Sequence, residues 1–342
     1  MKKTLLFALM AIACLGLLSS CAWVNKIFNK NDDKSVEISV YIPDGAPLLA
    51  IADMVRDGEG AIDKNYSVGY EVVTGAQIAP LLQQGTPDIA FAPINVCAIA
   101  FNSNDYVLAG VAVWGLNHIV TRENGITSLE QLKGQTIYAF QLAATPGITL
   151  KAVLTKNGIG YIEDQETAPA DKVNIVGLSD ANIVAQAIKT GSIEGKEVKF
   201  ALLPEPVMTA AVNSSGGAVR HAFDIQELWG EGSYPQVGVV VKKSLTESHK
   251  DFVDKFIARL DDSERFAREN PNACATIAIN AMQSAGLPSV AVVESFLAGS
   301  GQSAFLFKSA QDAKAAVKAY LAALTPNLIG GSQPGDAFYY QG

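Results

Sequence analysis

At 342 residues, with 49% hydrophobic and 18% charged residues, the chain has the composition of a folded globular protein and is too long for one small core. Its formal charge is −8, and the first twenty residues carry Lys2 and Lys3 and no acid, so the remainder is more acidic still. No cluster of Lys and Arg reverses that balance locally, which excludes nucleic acid as a partner.

Lys2-Lys3, the apolar run LLFALMAIACLGLL and the small residues before Cys21 describe a secretory signal peptide over residues 1–20. Leu18-Ser19-Ser20-Cys21 resembles the lipobox of bacterial lipoproteins, which implies that Cys21 is lipidated and becomes the first mature residue. The apolar run is shorter than the roughly 20 residues of a membrane span. The polar stretch after it reads as a flexible tether over 21–35.

Alternation in VEISVYI predicts a strand over 36–42, ended by Pro43-Asp44-Gly45-Ala46-Pro47 and followed by a helix over 48–56. A strand over 66–73, the turn Thr74-Gly75-Ala76, a helix over 77–84 stopped by Gly85 and a strand over 88–92 come next. Ser128 with Gln131 forms a capping box for a short helix in SLEQLKG. A strand over 136–140 leads to a helix over 147–156, with Thr145 as its cap and Pro146 in its first turn. A strand over 173–176 precedes a helix over 182–189 that Asp180 can cap, and a strand over 198–203 delivers Pro204-Glu205-Pro206. Strand, loop and helix in repetition indicate parallel α/β architecture in two similar halves. The β-branched runs 118–121 and 237–241 read as the strands by which the chain passes between the halves. Lobe one is therefore 36–120 with 238–342, and lobe two 121–237. Beyond Lys243 the pattern is helical over 247–268, 271–285, 289–298 and 309–322, and an aromatic tail at 335–340 docks on a surface.

Once the leader and Cys21 are set aside, Cys97 and Cys274 stand far apart in apolar surroundings and read as buried thiols, with a disulfide between them left open. His118, His221 and His249 are scattered and lack metal-site spacing, so no metal is expected. Trp114 reads as core, Asp44 as a solvated turn residue.

The stretches TSLEQLKG, TIYAFQLAATPGITLKAVL, KFALLPEPVMTAAV and QVGVVVKKSL, in this order after the Gly45-Ala46-Pro47 loop, resemble the extracytoplasmic solute-binding proteins of ABC transporters. The resemblance is to the sulfonate, taurine and thiamine-precursor (NMT1/THI5-like) group. It implies a bilobed type II periplasmic-binding-protein fold, two α/β domains joined by two crossovers, with ligand in the cleft beyond the strands' carboxyl ends. By the same resemblance lobe one contributes Gly45, Ala46, Pro47, Thr74, Gly75, Pro93, Ile94 and Asn95 to the site. Lobe two contributes Gln141, Ala144, Thr145, Pro204, Glu205 and Pro206, with Tyr234 and Gln236 as wall residues. Asn95 either reads a polar ligand group or caps the helix after it. Glu205, on a loop stiffened by two prolines, is placed to accept hydrogen bonds from a ligand amine, amide or hydroxyl.

These positions include no Lys and no Arg, which favours a neutral or cationic organic solute over an anion. The implied protein is a monomer without cofactor, moored to the bilayer on the extracytoplasmic side through Cys21, that delivers its solute to an ABC permease. Two other readings compete. An enzyme of the same superfamily, of thiamine-pyrimidine or menaquinone-pathway type, would show turnover, but the chain lacks the cysteine cluster of the first kind. A permease-independent surface receptor would lack neighbouring permease genes.

Overall fold

The computed structural model describes residues 35–58, 62–230 and 233–342. The expected leader over 1–20, Cys21 and the tether up to Lys34 lie outside the described residues.

The strands are β1 (Val36–Pro43), β2 (Tyr66–Val73), β3 (Ile89–Pro93), β4 (Tyr106–Trp114), β5 (Asn117–Thr121), β6 (Thr136–Phe140), β7 (Gly160–Glu163), β8 (Lys172–Leu178), β9 (Phe200–Pro204), β10 (Arg220–Asp224), β11 (Pro235–Lys242) and β12 (Lys308–Ser309). The helices used below are α1 (Pro47–Asp57), α2 (Gly75–Gln83), α3 (Ile94–Ser103), α4 (Thr145–Lys156), α5 (Ala181–Thr190), α6 (Val207–Ser214), α7 (Ile225–Trp229), α8 (Lys250–Glu269) and α9 (Ala310–Ala322).

These twelve strands form two sheets of six, ordered β12-β4-β11-β3-β1-β2 and β10-β5-β9-β6-β8-β7, and a separate small ribbon pairs Ser192–Ile193 with Lys196–Glu197 antiparallel. In the first, β1 runs parallel to β2 and β3, and β11 runs against β3 and β4. In the second, β6, β7, β8 and β9 run parallel and β5 runs against β9 and β10. Each interior reversed strand, β5 or β11, is the one the chain forms on arriving from the other sheet. Gly115 and Leu116 make the first exchange, and Ser233 and Tyr234 lead the returning chain into β11. The sequence-based boundaries after 120 and 237 fall inside β5 and β11.

Burial on both faces explains why the strands read as apolar runs. Val237, Val239 and Val241 point into one core with Val40, Ile42 and Phe252, whereas Val240 points into the other. That second core runs without a break from Ala90 and Ala92 of the first sheet and Ile94 of α3 to Ile119, Ile137 and Leu203 of the second sheet. It also takes in Tyr320 of α9 and Phe338 of the tail.

Several expectations are revised. Strands β4, β7, β10 and β12 and helices α6 and α7 carry no separate signal in the sequence reading, and α3 is marked only by Asn95 as a possible cap. The helix expected over 247–268 breaks at His249, whose backbone (φ −138°, ψ 42°) separates Lys243–Ser248 from α8. The helix expected over 271–285 ends as a π turn at Ile277–Ala281. SLEQLKG forms one 3-10 turn, Leu129–Leu132, with the Ser128–Gln131 capping box in place. The aromatic tail is inserted instead of surface-docked: Phe338 and Tyr339 are buried, and the Tyr340 hydroxyl donates to Asp254 at 2.7 Å. Cys97 and Cys274 are free and buried, each thiol donating to a backbone carbonyl. None of the described helices is long and apolar enough to cross a membrane.

Candidate functional site

Many strands lead into a helix directly or after a few residues, among them β1 into α1, β2 into α2, β3 into α3, β6 into α4 and β9 into α6. These turns contain most of the residues singled out by the sequence. Thr74 caps α2 in a box with Gln77, whose Oε1 accepts from the Thr74 N–H at 2.8 Å, leaving Gly75 as the first helical residue. In the turn after β6, Gln141 adopts a left-handed backbone (φ 49°), and Gly147 is packed so closely that a Cβ there would lie 2.4 Å from Leu142 Cα. The loop backbone can lie this close to the first turn of α4 only because residue 147 has no side chain.

The loops of the two sheets meet. Asn95, buried in the first turn of α3, donates through Nδ2 to the carbonyls of Ala143 at 3.4 Å and Leu328 at 3.3 Å. Its Oδ1 accepts from the Thr145 hydroxyl at 3.5 Å. The Gln141 amide lies over Gly75, its Nε2 2.5 Å from where a Cβ of residue 75 would stand, so Gly75 provides the room for it. Gly75, Asn95, Gln141 and Thr145, with Ala144 between the last two, therefore form one cluster drawn from both sheets. Two local roles change. Thr145 is the first residue of α4, whose cap is Ala144, and Asn95 lies inside α3, whose cap is Pro93, so neither side chain caps its helix.

The remaining positions engage elsewhere. Asp44, beside Gly45, Ala46 and Pro47, accepts from the Ser284 hydroxyl at 2.5 Å and from the N–H groups of Ala285 at 3.0 Å and Gly286 at 2.9 Å. It is an anchor for that loop, not a solvated turn residue. Pro93 pairs with Val237 across the first sheet and Pro204 with Asn117 across the second, while Ile94 is fully buried in the continuous core. Glu205, joined to Pro206 by a cis peptide bond, is 4% exposed. Its two carboxylate oxygens accept from the Thr209 N–H at 3.1 Å and hydroxyl at 2.9 Å, which holds the first turn of α6. Burial raises its pKa above the usual carboxylate range, the Thr209 bonds oppose this, and Asp224 adds to it.

Tyr234 and Gln236 stand at the exchanges. Asn117 donates through Nδ2 to the Tyr234 hydroxyl at 2.8 Å and to Gln236 Oε1 at 3.2 Å, and Gln236 Oε1 also accepts from the Leu116 N–H at 2.9 Å. Asn117 Oδ1 is buried without a hydrogen-bond partner among the described residues. Nearby, His118 Nδ1 lies 3.1 Å from His221 Nε2 and 4.0 Å from Asp224. Burial lowers the His118 pKa to about 4, with Asp224 opposing and His221 assisting.

Sequence reasoning overlooked Asn117, Thr149 and Tyr320. All three sit inside apolar or helical runs that look like plain core, and only the meeting of distant segments reveals their bonds. Trp114 is core as expected, its indole N–H donating to the Leu306 carbonyl at 2.8 Å. A polar cavity of about 550 Å³ lies away from all these residues, between Thr136, Tyr138, Asn174 and Lys199 at the amino ends of β6 and β8.

A family model described as NMT1/THI5 like matches residues 76–274, more than half of the chain. No curated protein is similar enough to count as a match. Among solved structures, an ABC transporter from Parabacteroides distasonis is 22% identical with a TM-score of 0.69, over 90% of this chain and 99% of that one. The alkanesulfonate-binding protein SsuA from Xanthomonas axonopodis pv. citri, bound to MOPS, is 19% identical with a TM-score of 0.63, over 88% and 96%. The periplasmic aliphatic sulphonate binding protein SsuA from Escherichia coli is 18% identical with a TM-score of 0.62, over 90% and 94%. The fold is thus the bilobed α/β architecture of type II periplasmic binding proteins.

Proposed function

The chain belongs to the NMT1/THI5-like family, and on that premise we propose that it is the substrate-binding protein of an ABC importer. It captures a small organic solute between its two lobes and hands it to a membrane permease, without catalysing a reaction. The observation that carries this reading is the convergence of Gly75 and Asn95 from one sheet with Gln141 and Thr145 from the other. A solute lodged among them would touch both lobes and so favour closure, which is how such contacts shift a hinge equilibrium. The lobes in this proposal are the two sheets with their helices, exchanging at 115–116 and just ahead of β11. The lipobox-like tetrapeptide supports an extracytoplasmic protein held to the membrane by lipid on Cys21.

The proposed contacts are amides and hydroxyls, with Glu205 as the one carboxylate and no Lys or Arg among them. That set suits a neutral or cationic solute better than the sulfonates named for two of the structural neighbours. Each Glu205 oxygen has one acceptor position in use by Thr209, and the other remains for a solute N–H.

Native mass spectrometry of freshly purified protein tests the reading directly. The expected spectrum contains a non-covalent small-molecule adduct that is lost after unfolding, dialysis and refolding. Glu205→Gln is expected to lower adduct occupancy while circular dichroism stays unchanged. Protein without any adduct, and without a rise in Tm in the presence of MOPS, taurine or pyrimidine vitamin precursors, would sink the proposal.

A further inference from the structure

Tyr320 sits near the end of α9, a helix packed on β4, β11 and β12 of the first sheet. Its side chain nevertheless ends in the second half of the molecule. Its ring centroid is 5.2 Å from that of Trp229 and 6.0 Å from that of Tyr234, nearly parallel to the latter. Thr149 donates its hydroxyl to the Thr145 carbonyl at 2.6 Å, so its oxygen is free to accept from the Tyr320 hydroxyl at 2.8 Å. Tyr320 is fully buried, and Thr145 and Thr149 with it. Just beyond α9, the Leu328 carbonyl accepts from Asn95. The carboxy-terminal segment thus grips the first turn of α4 on one side and α3 on the other.

We propose that Tyr320 is a positioning residue for lobe closure. It forms a further link between the halves, beside the two chain exchanges and the Asn95 hydrogen bonds, and holds the Thr145 end of α4 against Asn95. This rests on the two-lobe binding reading and assigns that site its mechanical stop. The link has two separable parts, an aromatic seat on Trp229 and Tyr234 and one buried hydrogen bond to Thr149. Tyr320→Phe removes only the bond; Tyr320→Leu removes both.

Amide hydrogen exchange on the full chain, with small-angle scattering alongside, tests it. In Tyr320→Phe, exchange is expected to rise roughly fivefold at 141–149 and at 94–97, the worth of one hydrogen bond, with β3 and β9 unchanged. In Tyr320→Leu the rise is larger and the radius of gyration increases. Faster exchange confined to 310–322 would reduce Tyr320 to a local packing residue and overturn the proposal. Thr149→Val, which removes the acceptor from the other side, is expected to reproduce the Tyr320→Phe pattern, and a wild-type pattern there would also overturn it. Failure of the underlying reading looks different. Wild-type protein whose radius of gyration is the same as purified and after refolding free of any solute does not open and close, and both proposals then fall.

Discussion

His118 shows how a single side chain can tie stability to pH. It lies on β5, is 6% exposed, and faces His221 and Asp224 of β10. Its folded pKa is lowered from 6.5 to about 4, chiefly by burial. The unfolded chain therefore binds the proton more readily than the folded one between those values, and stability falls as pH drops from about 6.5 towards 4. Below that window the full contribution is lost, roughly 3 kcal/mol at one decade per 1.4 kcal/mol. Carboxylates titrate over part of the same range, so the informative quantity is a difference between variants. His118→Asn is expected to give a urea-unfolding profile that declines less steeply than wild type between pH 6.5 and 4. Parallel profiles would mean that the imidazole is protonated in the fold. Glu205 has the opposite sense: its raised folded pKa means that ionisation costs stability as pH rises, an effect the Thr209 bonds offset.

Among elements, legibility followed the presence of a local signal. Strands β1, β2 and β6 were readable because alternation or a turn residue marks their limits, and α5 because Asp180 caps it and Gly191 ends it in a left-handed turn. Strand β4, YVLAGVAVW, is buried along its whole length and so shows no alternation. Its Gly110 reads as a breaker but is there because Phe307 and the Lys308 carbonyl crowd the strand, within 2.6 Å of where a Cβ would stand. Helix α3 starts directly after Pro93, with no loop to announce it. Among the positions proposed for the site, Thr74 and Glu205 bond to neighbours along the chain, but the partners of Asn95, Tyr234 and Gln236 were invisible, since those bonds join segments that only the fold brings near. Asp44, which the sequence marks only as a turn residue, shows the same thing, 240 residues from Ser284. Because its carboxylate accepts three bonds from 284–286, Asp44→Ala leaves two backbone N–H groups without their acceptor. The expected cost is about 2 kcal/mol, with faster amide exchange at 284–287 and none of the change reaching β6 or β9. A stability loss below about 0.5 kcal/mol, the range of an ordinary surface substitution, would show that water replaces the carboxylate without penalty.

At the scale of the whole molecule, the question is what holds the two exchanges at their angle. The Gly115 N–H donates to the Tyr234 carbonyl at 2.9 Å, which binds the outgoing segment to the returning one. A Cβ on Gly115 would lie 2.5 Å from the Tyr234 ring and 2.6 Å from Gln226 Cγ. The ring has little room to yield: it is fully buried, bonded through its hydroxyl to Asn117, and flanked by Trp229 and Tyr320. Gly115→Ala therefore has to move backbone at the exchange, and overpacking of this kind costs about 1–3 kcal/mol. The control is Gly335→Ala, where nothing lies within 4 Å and the backbone (φ −75°) suits any residue. Urea unfolding is expected to show a lowered midpoint at unchanged slope for Gly115→Ala and a wild-type midpoint for the control. Scattering should then find the Gly115 variant more extended, because the wedge sits at the pivot and not in either sheet. If both variants unfold with the wild-type midpoint, the Tyr234 ring moves aside freely, and the crossing from one sheet to the other must be fixed by contacts farther from the exchanges.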